Sequence, residues 1–113
     1  MHWLGAILVV GVLLVGALLL LLVGPSKDGI ILQQELAELV AKAKVLGLPD
    51  RDVANINDML EYNEGGIALS ILATQLYEHT IFLDVGYYQL LQSVAEKLKL
   101  PEQEYVFAKE LII

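Results

Sequence analysis

The pattern of apolar and polar positions differs sharply between the first segment of the chain and the rest. From Trp3 to Val23 no residue is charged, whereas beyond Lys27 apolar residues recur at helical intervals between charged ones. At about 1.5 Å per residue, the apolar run makes a helix roughly 30 Å long, which matches the hydrocarbon core of a bilayer. The pattern predicts one transmembrane helix over residues 3–23.

A break in this pattern separates the apolar segment from a second region. Gly24-Pro25-Ser26 interrupts the run, and helical periodicity resumes a few residues later. The predicted parts are an anchor, a linker and a helical domain: residues 1–24, 25–29 and 30–113. A cleaved signal sequence is the alternative, although such signals have a basic start and a shorter apolar stretch. Lys27 beside the anchor favours a cytoplasmic domain.

The domain pattern predicts an all-α fold, a small bundle of about four helices with no competing strands. The expected helices cover residues 30–46, about 50 up to a turn at 63–66, about 67–78, and 85 to about 99. Buried stripes are expected along them, for example Val53, Ile56 and Leu60 in the second helix. The connector Ile81-Phe82-Leu83 is short and apolar, and a last short helix is expected after Pro101.

Local signals predict where these helices start and stop. Gly47 is expected to end the first helix, and Asp50 and Asp84 are expected to cap the second and fourth by accepting backbone N–H bonds. The segment Asn63-Glu64-Gly65-Gly66 is expected to form a turn, because the paired glycines adopt backbone angles that other residues resist.

All Asp, Glu, Lys and Arg residues lie from Lys27 onwards. The chain has 14 Asp and Glu against 7 Lys and Arg, a formal net charge of −7, and no cysteine. A strongly acidic domain disfavours nucleic-acid binding and favours encounters with basic protein surfaces. The missing cysteines exclude disulfides and thiol catalysis.

Residues that carry catalysis are sparse, so we expect no enzyme. His2 and His79 are the only histidines, which leaves no base for a nucleophile triad. Carboxylate pairs one helical turn apart lack the Glu-x-x-His motif of bundle metal sites. No Gly-rich phosphate loop is present. We therefore expect no metal, cofactor or small-molecule substrate.

One stretch holds an unusual concentration of acids. Arg51 is the one basic residue in this stretch. The acidic residues are Asp50, Asp52, Asp58, Glu61 and Glu64. This stretch either forms a docking surface for a basic partner, with Tyr62 as an aromatic anchor, or is an ordinary solvated helix face.

A motif within residues 50–100 resembles the MafI family of immunity proteins. The motif consists of Asn63-Glu64-Gly65-Gly66-Ile67-Ala68-Leu69, then Gln75-Leu76-Tyr77-Glu78, Ile81, Leu83, Tyr88 and Leu91. Members of that family are small, acidic, mainly helical bacterial proteins encoded beside secreted toxins. The resemblance implies a protein that binds and neutralises a cognate toxin domain, such as a nuclease, without catalysis. With the anchor, it implies the bacterial inner membrane as location.

Charge and position select the residues expected to bind the toxin. They are Asp58, Glu61, Tyr62, Glu64 and Glu78. The expected partner is a toxin with a basic surface, since an acidic helical face can occupy a basic cleft. The alternative is a single-pass membrane adaptor or assembly subunit whose helical domain recruits an unrelated protein.

Overall fold

The computed structural model describes residues 27–113, and every regular element in that range is helical. In chain order the elements are α1 (Lys27–Leu46), α2 (Asp50–Glu61), α3 (Gly65–Glu78), α4 (Val85–Lys97) and two 3-10 helices, η1 (Glu102–Glu104) and η2 (Val106–Leu111). By the contacts between its residues, Leu32–Ile113 forms one compact unit, and this unit is described below. The predicted all-α class and the four helices of the domain are confirmed for this part of the chain.

Helices α2 and α3 form an antiparallel hairpin. Asp52, in the first turn of α2, has its Oδ2 3.0 Å from Nε2 of His79, the residue that follows α3. Helix α3 also packs against α4, η1 and η2, so its buried face is wide. That face consists of Ala68, Leu69, Leu72, Ala73 and Leu76. Ile67, in the first turn of α3, is half exposed.

Helix α1 packs against α4, and the two run in opposite directions. The Tyr87 hydroxyl donates a hydrogen bond to the Leu39 carbonyl at 2.7 Å, and Lys97 Nζ lies 2.8 Å from Oε1 of Glu35. Burial raises the pKa of Tyr87 well above its usual range. The phenol therefore stays protonated and keeps donating at every physiological pH.

All four α-helices of the described part end in the same hydrogen-bonded motif. Just past each helix, one residue adopts a left-handed backbone with positive φ: Gly47, Asn63, Thr80 and Lys99. The next amide donates to a carbonyl five positions back: Leu48 to Ala43, Glu64 to Met59, Ile81 to Leu76 and Leu100 to Ala95. This is the Schellman motif, which satisfies carbonyls that the helix end leaves unpaired. The sequence predicted only Gly47.

The two aspartate caps have different outcomes. Asp84 does cap α4, because its Oδ1 accepts a bond from the Tyr87 amide at 2.7 Å. Asp50 does not cap α2: Pro49 precedes the helix there, Asp50 is already its first residue, and no side-chain cap bond forms. The Pro49 carbonyl instead accepts bonds from the amides of Asp52 and Val53.

The predicted turn at residues 63–66 forms at Asn63, and the paired glycines do not belong to it. Gly65 and Gly66 are the first residues of α3, and Asn63, with φ of 58°, makes the turn. Asparagine tolerates this conformation better than most residues. Gly65 has a packing reason to be small, because a Cβ there would lie 3.3 Å from methyl carbons of Leu36 and Leu98.

The ends of the other elements also differ from expectation in detail. Helix α1 begins at Lys27, so the described end of the predicted linker is helical, and the last segment forms two 3-10 helices. In the connector, Leu83 forms an isolated parallel β-bridge with Ile112. Its amide donates to the Leu111 carbonyl at 2.9 Å, and its carbonyl accepts from Ile113 at 3.1 Å.

The predicted membrane segment, residues 3–23, lies outside the described residues. Among the helices of residues 27–113, none combines the length and apolar character needed to cross a bilayer.

Candidate partner-binding surface

Four of the five predicted binding residues lie together where the α2–α3 hairpin reverses direction. We call this region, residues 58–64, the hairpin tip. Asp58 and Glu61 are on the last turn of α2, Tyr62 follows the helix, and Glu64 precedes α3. All four are exposed, and Tyr62 is 76% exposed. The turn at Asn63 therefore gathers three carboxylates and one aromatic ring on one end of the hairpin.

The hairpin tip departs from the rule that the other three helix ends follow. In a Schellman motif the residue after the left-handed position commonly makes a hydrophobic contact with the last turn. Leu48 and Ile81 are buried at that position, and Leu100 packs against the core. At the tip the same position is Glu64, which is exposed. Backbone hydrogen bonds close the end of α2, and the side chain of Glu64 is left free to contact solvent or a partner.

The carboxylates at the tip lack cationic partners among residues 27–113. The ion pairs in that range join Lys42 to Glu38, Lys97 to Glu35 and His79 to Asp52. Asp58, Glu61 and Glu64 take part in none of them. Their charges therefore face solvent unneutralised, which is the state that attracts a basic surface over a Debye length of about 8–10 Å.

Glu78 lies away from the other predicted residues. It is the last residue of α3, and a helix of 14 residues is about 20 Å long, so Glu78 and Glu64 are at opposite ends of it. Its neighbour His79 contacts Asp52 at the start of α2. The structure therefore brings Asp58, Glu61, Tyr62 and Glu64 together and separates Glu78 from them.

Two carboxylates that the sequence analysis did not select lie along the outer side of α3. Ser70 Oγ donates to Glu104 Oε2 at 2.8 Å, and the Tyr77 hydroxyl donates to Glu110 Oε2 at 3.1 Å. The bond to Glu110, and then the negative charge of that carboxylate, raise the pKa of Tyr77. The bonded residues are 34 and 33 positions apart. No local sequence signal marks such pairs.

An apolar groove lies next to the tip, between the start of α3 and the segment that follows α4. We call it the α3 groove. Its volume is about 350 Å³, and it is lined by Gly66, Ile67, Ser70, Ile71, Leu100 and Glu104. A second cavity of about 430 Å³ lies between the end of α1 and the start of α4, where Lys42 and Asp84 give a mixed charge. Of these two, the α3 groove has a single charged lining residue, the carboxylate of Glu104.

The chemistry available at the tip is that of a binding surface. In residues 27–113 no group of three or more His, Asp or Glu side chains is arranged to hold a metal ion. The tip itself presents three carboxylates and one phenol to solvent. Such a surface can attract and orient a cationic partner, and Tyr62 can supply contact area at low entropic cost.

No protein-family model, curated protein or solved structure matches the chain. The function is therefore inferred from the side chains of this surface and their geometry.

Proposed function

We propose that this chain is an immunity protein that binds a basic toxin domain through the hairpin tip and neutralises it by occlusion. The observation that carries the proposal is the set of exposed carboxylates at Asp58, Glu61 and Glu64, which the described residues leave without cations. Residues 63–69 and 75–78 resemble the MafI family of immunity proteins, and this resemblance is the reason to propose a toxin as the partner.

Among the residues of the hairpin tip, Glu64 most strongly indicates a binding role. A leucine or isoleucine at its position would complete the Schellman motif, as at the other three helix ends, and would favour folding. The chain instead has an exposed charge there. A residue that departs from the local stability rule is a candidate for function, because natural proteins break such rules mainly at functional sites.

The proposed mechanism is physical obstruction. A toxin that cleaves nucleic acid has a basic cleft for the phosphate backbone, and an acidic surface competes for that cleft. Charge complementarity accelerates the encounter. Affinity then depends on a few desolvated contacts, for which the exposed ring of Tyr62 is our main candidate. The predicted anchor would hold the inhibitor at the inner membrane, where it would meet an incoming toxin.

Growth rescue tests the proposal. We would co-express the full chain with the toxin encoded immediately upstream of its gene, and compare it with Asp58→Lys/Glu61→Lys. The matched control, Asp50→Lys/Glu96→Lys, changes the net charge equally on exposed positions outside the tip that take part in no ion pair. We expect the wild type and the control to restore growth and the tip variant to lose most protection.

Two results would contradict the proposal. Wild-type protein that fails to restore growth would exclude immunity to that toxin, and equal rescue by both variants would exclude the hairpin tip. Secretion or division genes beside the gene would favour the adaptor alternative. A separate Glu78→Lys variant decides whether that residue belongs to the surface, and its position at the far end of α3 predicts normal rescue.

A further inference from the structure

The α3 groove combines an apolar floor with a charged border. Ile67, Ile71 and Leu100 supply aliphatic surface, and Ile67 is 50% exposed. The fully buried residues of α3 do not line this groove, and Ile71 and Leu100 pack against the core with only part of their surface, so the rest of that surface and half of Ile67 remain accessible. A groove of about 350 Å³ is at the lower end of the size range of ligand pockets, about 300–1,000 Å³. It has room for one or two side chains.

The border of the groove is acidic and fixed in place. The hydroxyl of Ser70 donates to Glu104 at 2.8 Å and holds that carboxylate across the groove. A neutral hydroxyl leaves the charge of the carboxylate uncompensated. Glu64, at the tip, lies two residues before Gly66, which lines the same groove. An incoming segment therefore meets negative charge at the groove and at its end.

We propose that the α3 groove is a docking site for a basic protein segment that inserts an aliphatic side chain between Ile67, Ile71 and Leu100 and places Lys or Arg beside Glu104 and Glu64. This inference rests on the proposed function, since it names the part of the toxin that the surface recognises. Charge complementarity selects this occupant. A second copy of this acidic chain would bring carboxylates of the same sign together.

Gly66 allows the groove to be closed without disturbing the core. A Cβ built at Gly66 meets no atom within 4 Å, and the residue is helical. Gly66→Phe projects a ring into the groove, whereas Gly66→Ala makes the same backbone change and leaves most of the space open. Glu104→Gln removes the charge at the border and keeps the shape and an acceptor for Ser70.

The test is an NMR titration of the full chain in nanodiscs of zwitterionic lipid, with isotope-labelled Ile and Leu methyl groups. The probe is a short peptide of alternating lysine and leucine. Its controls replace leucine by alanine, or lysine by glutamate. We expect saturable shifts at Ile67, Ile71 and Leu100 with the first peptide, and none with the glutamate peptide.

The variants give the expected sizes of the effects. Burying one leucine contributes about 1.5–3 kcal/mol, so Gly66→Phe and the alanine peptide should each weaken binding about tenfold or more. An exposed ion pair is worth less, so Glu104→Gln should weaken binding about two- to fivefold. Gly66→Ala should bind the peptide as the wild type does.

Several results would overturn the docking site. They are no shift at the three residues, equal shifts with the glutamate peptide, or full binding by a folded Gly66→Phe variant. Shifts that depend on protein concentration without peptide would favour a second copy as occupant. The growth assay distinguishes the two proposals: rescue without peptide binding leaves immunity intact and excludes the groove, whereas peptide binding without rescue does the opposite.

Discussion

The ends of helices α2 and α3 share one backbone motif and use it differently. At both ends a non-glycine residue has positive φ, Asn63 at 58° and Thr80 at 49°, and the next amide reaches back five residues. The residue after Thr80 is Ile81, which is 7% exposed and belongs to the core. The residue after Asn63 is Glu64, which is exposed.

Under the proposed function, Ile81 serves folding and Glu64 serves recognition of the partner. Backbone hydrogen bonds end α2 without a buried side chain after Asn63, so the side chain of Glu64 is free to serve another purpose. Ile81 buries apolar surface, and Glu64 adds charge to a cluster that already contains Asp58 and Glu61. The two ends should therefore respond to matched substitutions with effects of different size.

The largest difference is expected when both side chains are truncated. Ile81→Ala removes buried methylene groups and should lower the free energy of unfolding by about 2–5 kcal/mol. Glu64→Ala changes an exposed side chain and should stay within about 0.5 kcal/mol of the wild type. Denaturant unfolding followed by circular dichroism measures both. A loss of similar size at Glu64 would show that the tip also stabilises the fold.

A smaller difference is expected at the left-handed residues themselves. Thr80 is β-branched and strained at positive φ, so Thr80→Gly should raise the free energy of unfolding by about 0.5–1 kcal/mol. Asn63→Gly should gain less, because asparagine tolerates this conformation. The same unfolding measurement compares them, and a loss of stability in Thr80→Gly would contradict the strain inferred from its φ.

These helix ends also show what the sequence could not predict. Gly47 was a recognisable stop, whereas Thr80 and Lys99 adopt positive φ despite unfavourable propensities, because burial of Ile81 and packing of Leu100 hold them there. Similarly, the sequence predicts a turn at Gly65, whereas this residue is helical and packs closely against Leu36 and Leu98, which are distant in sequence. Packing across the fold decided these positions.

The candidate surface was predictable only where its residues are neighbours in the chain. Asp58, Glu61, Tyr62 and Glu64 span about two helical turns, so any helical hairpin places them together. Glu104, by contrast, reaches the groove through a bond to Ser70, 34 residues away. Helical periodicity contains no information about such a contact.

The smallest expected effect on stability concerns a substitution that makes the tip resemble the end of α3. Glu64→Leu adds the apolar residue that the motif usually has, so the free energy of unfolding should stay equal or rise by up to about 0.5 kcal/mol. Toxin binding should nevertheless weaken. Thermal unfolding and a pull-down with the toxin domain measure the two properties, and tighter binding would contradict the role given to Glu64.

The central claim is that the charges of the hairpin tip steer a basic partner onto this chain. Stopped-flow association of the full chain with the purified toxin domain tests it most directly, using wild type and Asp58→Asn/Glu61→Gln/Glu64→Gln over a range of salt concentrations. We predict that salt slows wild-type association steeply and that the variant associates at least about tenfold more slowly at low salt. Equal rates for both proteins, with the same salt dependence, would contradict the account.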